Sequence, residues 1–162
     1  MKVDRIYTRN AIGISRSDSL EDAAVAMRRF HVGSLLVFEK AEGRPELAGI
    51  VTDRDLVLLA VADGLDTRKV AVEKVMTPVV ASISEGADIL EALERMRGAG
   101  VRRLVVTSER GDPVGVLAID DIVDGLAAEL ASASALMKTE IRREAAEFEG
   151  PGSASRKAAW QR

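Results

Sequence analysis

The feature that most constrains this 162-residue chain is that it is written twice. Sliding the sequence on itself by 69 positions aligns Val3 with Val72, Ile6 with Val75, Thr8 with Thr77, Ile14 with Ile83 and Leu20 with Ile89. The same shift aligns Ala23 with Ala92, Met27 with Met96, Val32 with Val101, Leu35 with Leu104 and Val37 with Val106. Further on the offset drops to 66, matching Gly49 with Gly115, Asp55 with Asp121 and Leu56 with Ile122. The three-residue change falls between Phe38 and Gly49, in a Lys-, Glu-, Gly-, Arg- and Pro-containing stretch that reads as a hairpin loop. A repeat of this length is one supersecondary unit, and fold reasoning has to begin from it.

Each copy has the same grammar. A short strand (Ile12 to Ser15; Val80 to Ile83) leads into a helix. In the first copy Asp18, with Glu21 three residues on, is an N-terminal capping signature. Leu20, Ala23, Ala24 and Met27 then follow the spacing of one buried helical face, as Ile89, Ala92, Leu93 and Met96 do in the second. Two β-rich runs come next: Leu35 to Phe38 with Leu47 to Thr52, and Leu104 to Thr107 with Val114 to Leu117. The turns Gly43-Arg44-Pro45 and Gly111-Asp112-Pro113 make each pair an antiparallel hairpin. A second helix closes each copy, from about Asp53 and about Asp120, with Asp63-Gly64-Leu65-Asp66 as the first stop.

The expected fold is therefore α/β (α+β), two β-α-β-β-α repeats. A unit this small buries too little surface alone, and packing sheet to sheet about a pseudo-twofold axis remedies that. Such packing leaves two equivalent clefts at the seam. The expected divisions are 1–68 and 69–130 for the repeats, 131–149 for a C-terminal helical extension and 150–162 for a disordered tail. The extension follows from a helical pattern through Ile122, Val123, Leu126, Leu130, Leu136, Met137 and Ile141, with Lys138 to Glu147 as a solvated face. Gly150-Pro151-Gly152-Ser153 ends it.

Composition narrows the function. Hydrophobic residues are 47% and charged residues 30%, ordinary for a globular protein. A net charge of −3 lacks the basic excess of a nucleic-acid surface. With no cysteine, disulfides and thiolate metal sites are excluded, and the single histidine leaves no zinc cluster and no plausible Ser-His-Asp arrangement. No phosphate-loop pattern is present either, so an enzyme lacks its parts and no catalytic cofactor is expected. His31 reads as a helix-end residue, and Met27, Met76 and Met96 as core. The start of the chain shows no signal-peptide pattern, and the longest apolar run, Leu56 to Ala62, cannot span a bilayer. A cytoplasmic protein that contacts no membrane is the expectation.

The segment Gly49-Ile50-Val51-Thr52-Asp53-Arg54-Asp55-Leu56 carries the chemistry. One reading is purely structural: Thr52 as N-cap and Asp55 at N3 make a capping box. The other is that the Asp55 carboxylate accepts from paired ribose hydroxyls, while the helix-start N–H groups and Thr52 face phosphate. Arg102 and Arg103, at the mouth of a second-copy strand, are candidate phosphate-binding cations or mere solubilisers of a strand end.

The repeat, this run, and the Val72-Glu73-Lys74-Val75-Met76-Thr77-Pro78 opening of the second copy resemble tandem cystathionine-β-synthase (CBS) domains, a Bateman module, over about residues 1 to 130. The resemblance implies regulation of a partner through an adenosine ligand: AMP, ADP, ATP or S-adenosylmethionine. It assigns Thr52 and Asp55 to ribose, Arg102 and Arg103 to phosphate, and Ile50, Val80 and Ala81 to the adenine walls. A second, weaker cleft would use Asp121, Ile12 and Val116. There Ala118 replaces the hydroxyl residue, and Gly33 and Ser34 stand in place of the arginines. The resulting expectation is one competent nucleotide site per chain, in a homodimer formed through helices that acts on an unidentified regulated protein. The alternative is a dimerising scaffold whose clefts are empty.

Overall fold

The computed structural model describes residues 1–9, 11–40, 45–78 and 81–149. Two compact units divide the chain at Asp121 and Ile122. The first unit holds the first repeat and the second repeat as far as the start of its closing helix. Its elements are β1 (Thr8–Arg9), β2 (Gly13–Ser15), α1 (Leu20–Phe30), β3 (Ser34–Lys40), β4 (Pro45–Thr52), α2 (Asp53–Asp55), β5 (Ser82–Ser84), α3 (Ile89–Ala99), β6 (Arg103–Thr107), β7 (Pro113–Ala118) and the start of α4 (Ile119–Glu149). In both repeats the strand before the helix pairs parallel with the first hairpin strand, β2 with β3 and β5 with β6, and each hairpin is antiparallel. The registers are repeat-equivalent: Gly13 faces Leu36 as Ser82 faces Val105.

β1, absent from the sequence expectation, pairs not with its own repeat but with β7, Thr8 opposite Val116. The corresponding residue of the second lead-in, Thr77, bridges to Ile50 of β4. Each repeat thus lends its opening segment to the other's hairpin, as pseudo-twofold symmetry requires. The sheets are therefore β1-β7-β6-β5 and β2-β3-β4, the latter extended by the Thr77 bridge.

The run Leu35-Leu36-Val37 is buried on both faces, which explains why it reads as a continuous apolar strand instead of alternating. Leu35 and Val37 join Leu20, Ala23, Met27 and Val51 in the core beneath α1, together with Val72 and Val75 from the second repeat's lead-in. Leu36 points the other way and meets Val105 and Val116 between the sheets.

The cap of α1 differs from the expectation. Ser19, not Asp18, is the N-cap: its Oγ accepts from Asp22 N–H (3.0 Å), and Asp22 Oδ2 accepts from Ser19 N–H (3.2 Å). Asp18 instead closes the preceding turn, accepting from Ser15 N–H (3.0 Å). Hydrogen bonds from Ser19 hold the Asp22 carboxyl below the usual carboxylate range. A depressed carboxyl stabilises the fold above its unfolded pKa, and that contribution is lost as pH falls through the folded value. Accordingly, Ser19→Ala should narrow the difference in thermal midpoint between pH 7 and pH 3; an unchanged difference would contradict this account.

The second helix of the first repeat is also not a regular α-helix. After α2 the chain continues as π-type turns over Leu56–Val61, which bury Ala60 while Val57, Leu58, Leu59 and Val61 stay exposed. The second unit, from Ile122, continues α4 to Glu149. Its apolar residues Leu130, Leu136, Met137 and Ile141 are largely exposed. No helix among the described residues is long and apolar enough to cross a membrane. Val80, residues 41–44 of the first hairpin and the expected tail 150–162 lie outside the described residues.

Candidate functional site

The motif sits where β4 runs into α2, beside the mouth of β6. Thr52 is the N-cap of α2, with extended backbone. Its N–H and Oγ1–H both donate to Asp55 Oδ2, at 2.8 and 2.7 Å, and Asp55 N–H donates back to Thr52 Oγ1 at 3.2 Å. The structural reading of this pair is therefore correct. It does not displace the functional one, because Asp55 Oδ1 carries no hydrogen bond among the described residues. One oxygen fixes the carboxylate and the other remains an acceptor.

A cavity of about 280 Å³ opens in front of this pair and brings together Ile50, Thr52, Asp55, Ala81, Arg102 and Arg103. These are all the expected first-cleft residues except Val80, which lies outside the described region. Arg54, Thr77, Gly100 and Val101 complete the lining and were not expected from sequence. Arg54 was legible inside the motif run itself, and Thr77 as the repeat-mate of Thr8. Three arginines against one lining carboxylate give the cleft a cationic lining, and none of the three forms an ion pair among the described residues.

The second cleft, about 220 Å³, is lined by Thr8, Ala11, His31, Val32, Gly33, Ser34, Arg103, Val116, Ala118 and Asp121. Asp121 Oδ2 accepts from Ala118 N–H at 2.8 Å, the counterpart of the Asp55–Thr52 contact without the hydroxyl. Asp121 and Val116 are where they were expected; Ile12 is not. Ile12 packs against the core beneath α1, and Ala11 faces the cleft, because neighbouring residues of an extended segment point to opposite sides. The expectation that this cleft lacks the arginines also needs correction: Arg103 lines it as well as the first.

His31 is at the end of α1, as expected, in the left-handed region at φ 54°. Its repeat-mate at the end of α3 is Gly100, at φ 66°. A side chain in this conformation carries a steric cost that glycine avoids, and at His31 that side chain also lines the second cleft. A wider concavity, about 690 Å³, lies elsewhere, along α3 at Leu90, Leu93 and Met96. Among the described residues no cluster of three or more His, Cys, Asp or Glu could hold a metal.

Two α/β repeats exchanging lead-in segments, with a cleft at each seam, define a paired-repeat module. The CBS domain model matches residues 3–61 and 72–128, and the chain belongs to this family as a tandem pair, a Bateman module. An uncharacterized protein of Methanopyrus kandleri is 28% identical over 76% of this chain and 61% of its own length. A 17.7 kDa protein of Acidianus ambivalens is 30% identical over 77% of this chain and 73% of its own. A CBS domain protein of Pyrobaculum aerophilum, solved in complex with AMP, shares the fold at TM-score 0.67 and 24% identity, over 82% of this chain and 99% of that one.

Proposed function

We propose that this chain is a regulatory module that binds an adenosine compound in the Thr52/Asp55 cleft and signals its occupancy to a partner protein. The observation that carries this is the composition of one cavity: a carboxylate with a free oxygen for ribose, apolar Ile50 and Ala81 for a base, and Arg54, Arg102 and Arg103 for phosphate. That a same-fold protein is solved with AMP supports the ligand class. The second cleft, with Asp121 but no hydroxyl at Ala118, is the weaker site. Exposed apolar residues on the helical faces, among them Phe30, Leu58 and Leu90, suit formation of a homodimer. The soluble, cytoplasmic setting expected from sequence belongs to the same reading.

A ligand-independent scaffold is the second reading, favoured by the closed Thr52–Asp55 cap, which is satisfied without any ligand. A thermal-shift panel of AMP, ADP, ATP, NAD and S-adenosylmethionine separates the two. Ligand at about 100 times Kd adds ~2.7 kcal/mol, a rise of roughly 5–10 °C for a protein of this size. Silence across the panel would favour the scaffold. Asp55→Ala should weaken binding of the responding ligand by roughly 10- to 100-fold, the value of a hydrogen bond to a charged group. Asp55→Asn, which can still accept from Thr52 N–H, controls for loss of the cap. Wild-type affinity in the alanine variant would remove Asp55 from the site.

A further inference from the structure

We propose that Arg103 is shared between the two clefts, so that an anionic ligand in one weakens binding of an anionic ligand in the other. The proposal rests on the adenosine-compound reading and goes beyond it by coupling the sites. Arg103 opens β6 and pairs in register with Ala118 of β7, placing it between the Asp55 cavity and the Asp121 cavity; it lines both. Its neighbour Arg102 lines the first cleft and not the second, and its repeat-mate Ser34 lines the second and not the first. Among the differences between the two clefts, Arg103 against Ser34 is the one that puts a single long cation in the lining of both.

Gly33 leaves room for this arrangement. A Cβ built there would stand 3.4 Å from an Arg103 guanidinium nitrogen and 3.4 Å from Asp53 Oδ2. The guanidinium therefore lies along the first repeat's backbone at the second cleft, beside a carboxylate at the start of α2, the helix that also carries Asp55. A guanidinium holds a phosphate best through one bidentate fork, and phosphates approaching from two clefts compete for that fork and for the side chain's position. Whichever phosphate engages it first withdraws it from the other cleft, and the coupling is reciprocal.

Calorimetric titration of the full chain with AMP tests this, comparing wild type with Arg103→Gln and Arg102→Gln. Wild type should show two steps per chain, the second at least tenfold weaker. Arg102→Gln should weaken the first step alone; Arg103→Gln should weaken both and narrow the gap between them. Ligand-free thermal midpoints within about 2 °C of wild type show that the variants fold. A single step of one AMP per chain, two equal independent steps, or an Arg103→Gln effect confined to one step would overturn the sharing while leaving the functional reading intact. Absence of binding by every adenosine compound would overturn both.

Discussion

Gly115→Ala and Gly49→Ala should each destabilise the protein by about 3 kcal/mol, the upper range for inserting atoms into packed structure. Neither glycine is needed for a left-handed backbone, since neither has a positive φ. What each supplies is space. A Cβ on Gly49 would fall 2.5 Å from the carbonyl oxygen of Thr77, and one on Gly115 would collide with the carbonyl oxygen of Thr8 and the ring of Tyr7. These are the two places where the exchanged lead-in segments lie across the hairpins. At each position the obstacle includes a backbone carbonyl that is tied down by pairing to the residue next to the glycine, Thr8 against Val116 and Thr77 against Ile50, so it cannot swing away like a side chain. Denaturant titration should show a lowered midpoint for both variants. Gly98→Ala, in α3 with nothing within 4 Å, is the control of opposite sign, stabilising by about 0.5–1 kcal/mol. Midpoints for the Gly49 and Gly115 variants equal to wild type would show that the lead-ins are not tightly seated.

The second large effect concerns the separability of the repeats. A fragment of residues 1–68 should show no cooperative unfolding transition. It would lose Val72 and Val75, which are buried in the core beneath α1 although they belong to the second repeat. It would also lose the bonds from Leu20 N–H to Val70 O and from Val72 N–H to Asp18 O, which hold the start of α1 to the linker. On the other face Leu36 would be stripped of Val105 and Val116 and left in water. Each buried aliphatic side chain contributes about 1.5–3 kcal/mol, so losing several is comparable with the whole stability of a small domain. Circular dichroism and denaturant titration of the fragment test this, and a sigmoidal transition would refute it. Mixing it with a 69–149 fragment should restore structure, because the missing partners are then supplied in trans.

The repeat and the first cleft were legible because both are written in side chains of distinctive chemistry. An aspartate after a Gly-x-x-Thr run and a pair of arginines stand out against an apolar background, and six of the seven residues expected at the first cleft converge on one cavity. What was not legible depends on phase and on partners far away in sequence. β1 is two residues long and has meaning only against β7, a pairing no local pattern announces. The choice of Ala11 over Ile12 for the second cleft is a one-residue phase, and both residues are apolar. Ser19 and Asp18 are both competent caps; the bond that claims Asp18 comes from Ser15 and shows only once the turn is folded. Arg103 looked like a ligand of one cleft because sequence assigns each residue one place, whereas a long side chain at a seam has two.

The thin apolar layer between the sheets has a consequence of its own. Ile50 packs on that layer and lines the first cleft, while Val116 is buried in it and lines the second. The floor of each binding cavity is therefore the same material that sets the spacing of the two halves. On the proposed function, a molecule entering either cavity would press on this layer, and a shift of one sheet on the other would need no separate relay to carry the message outward.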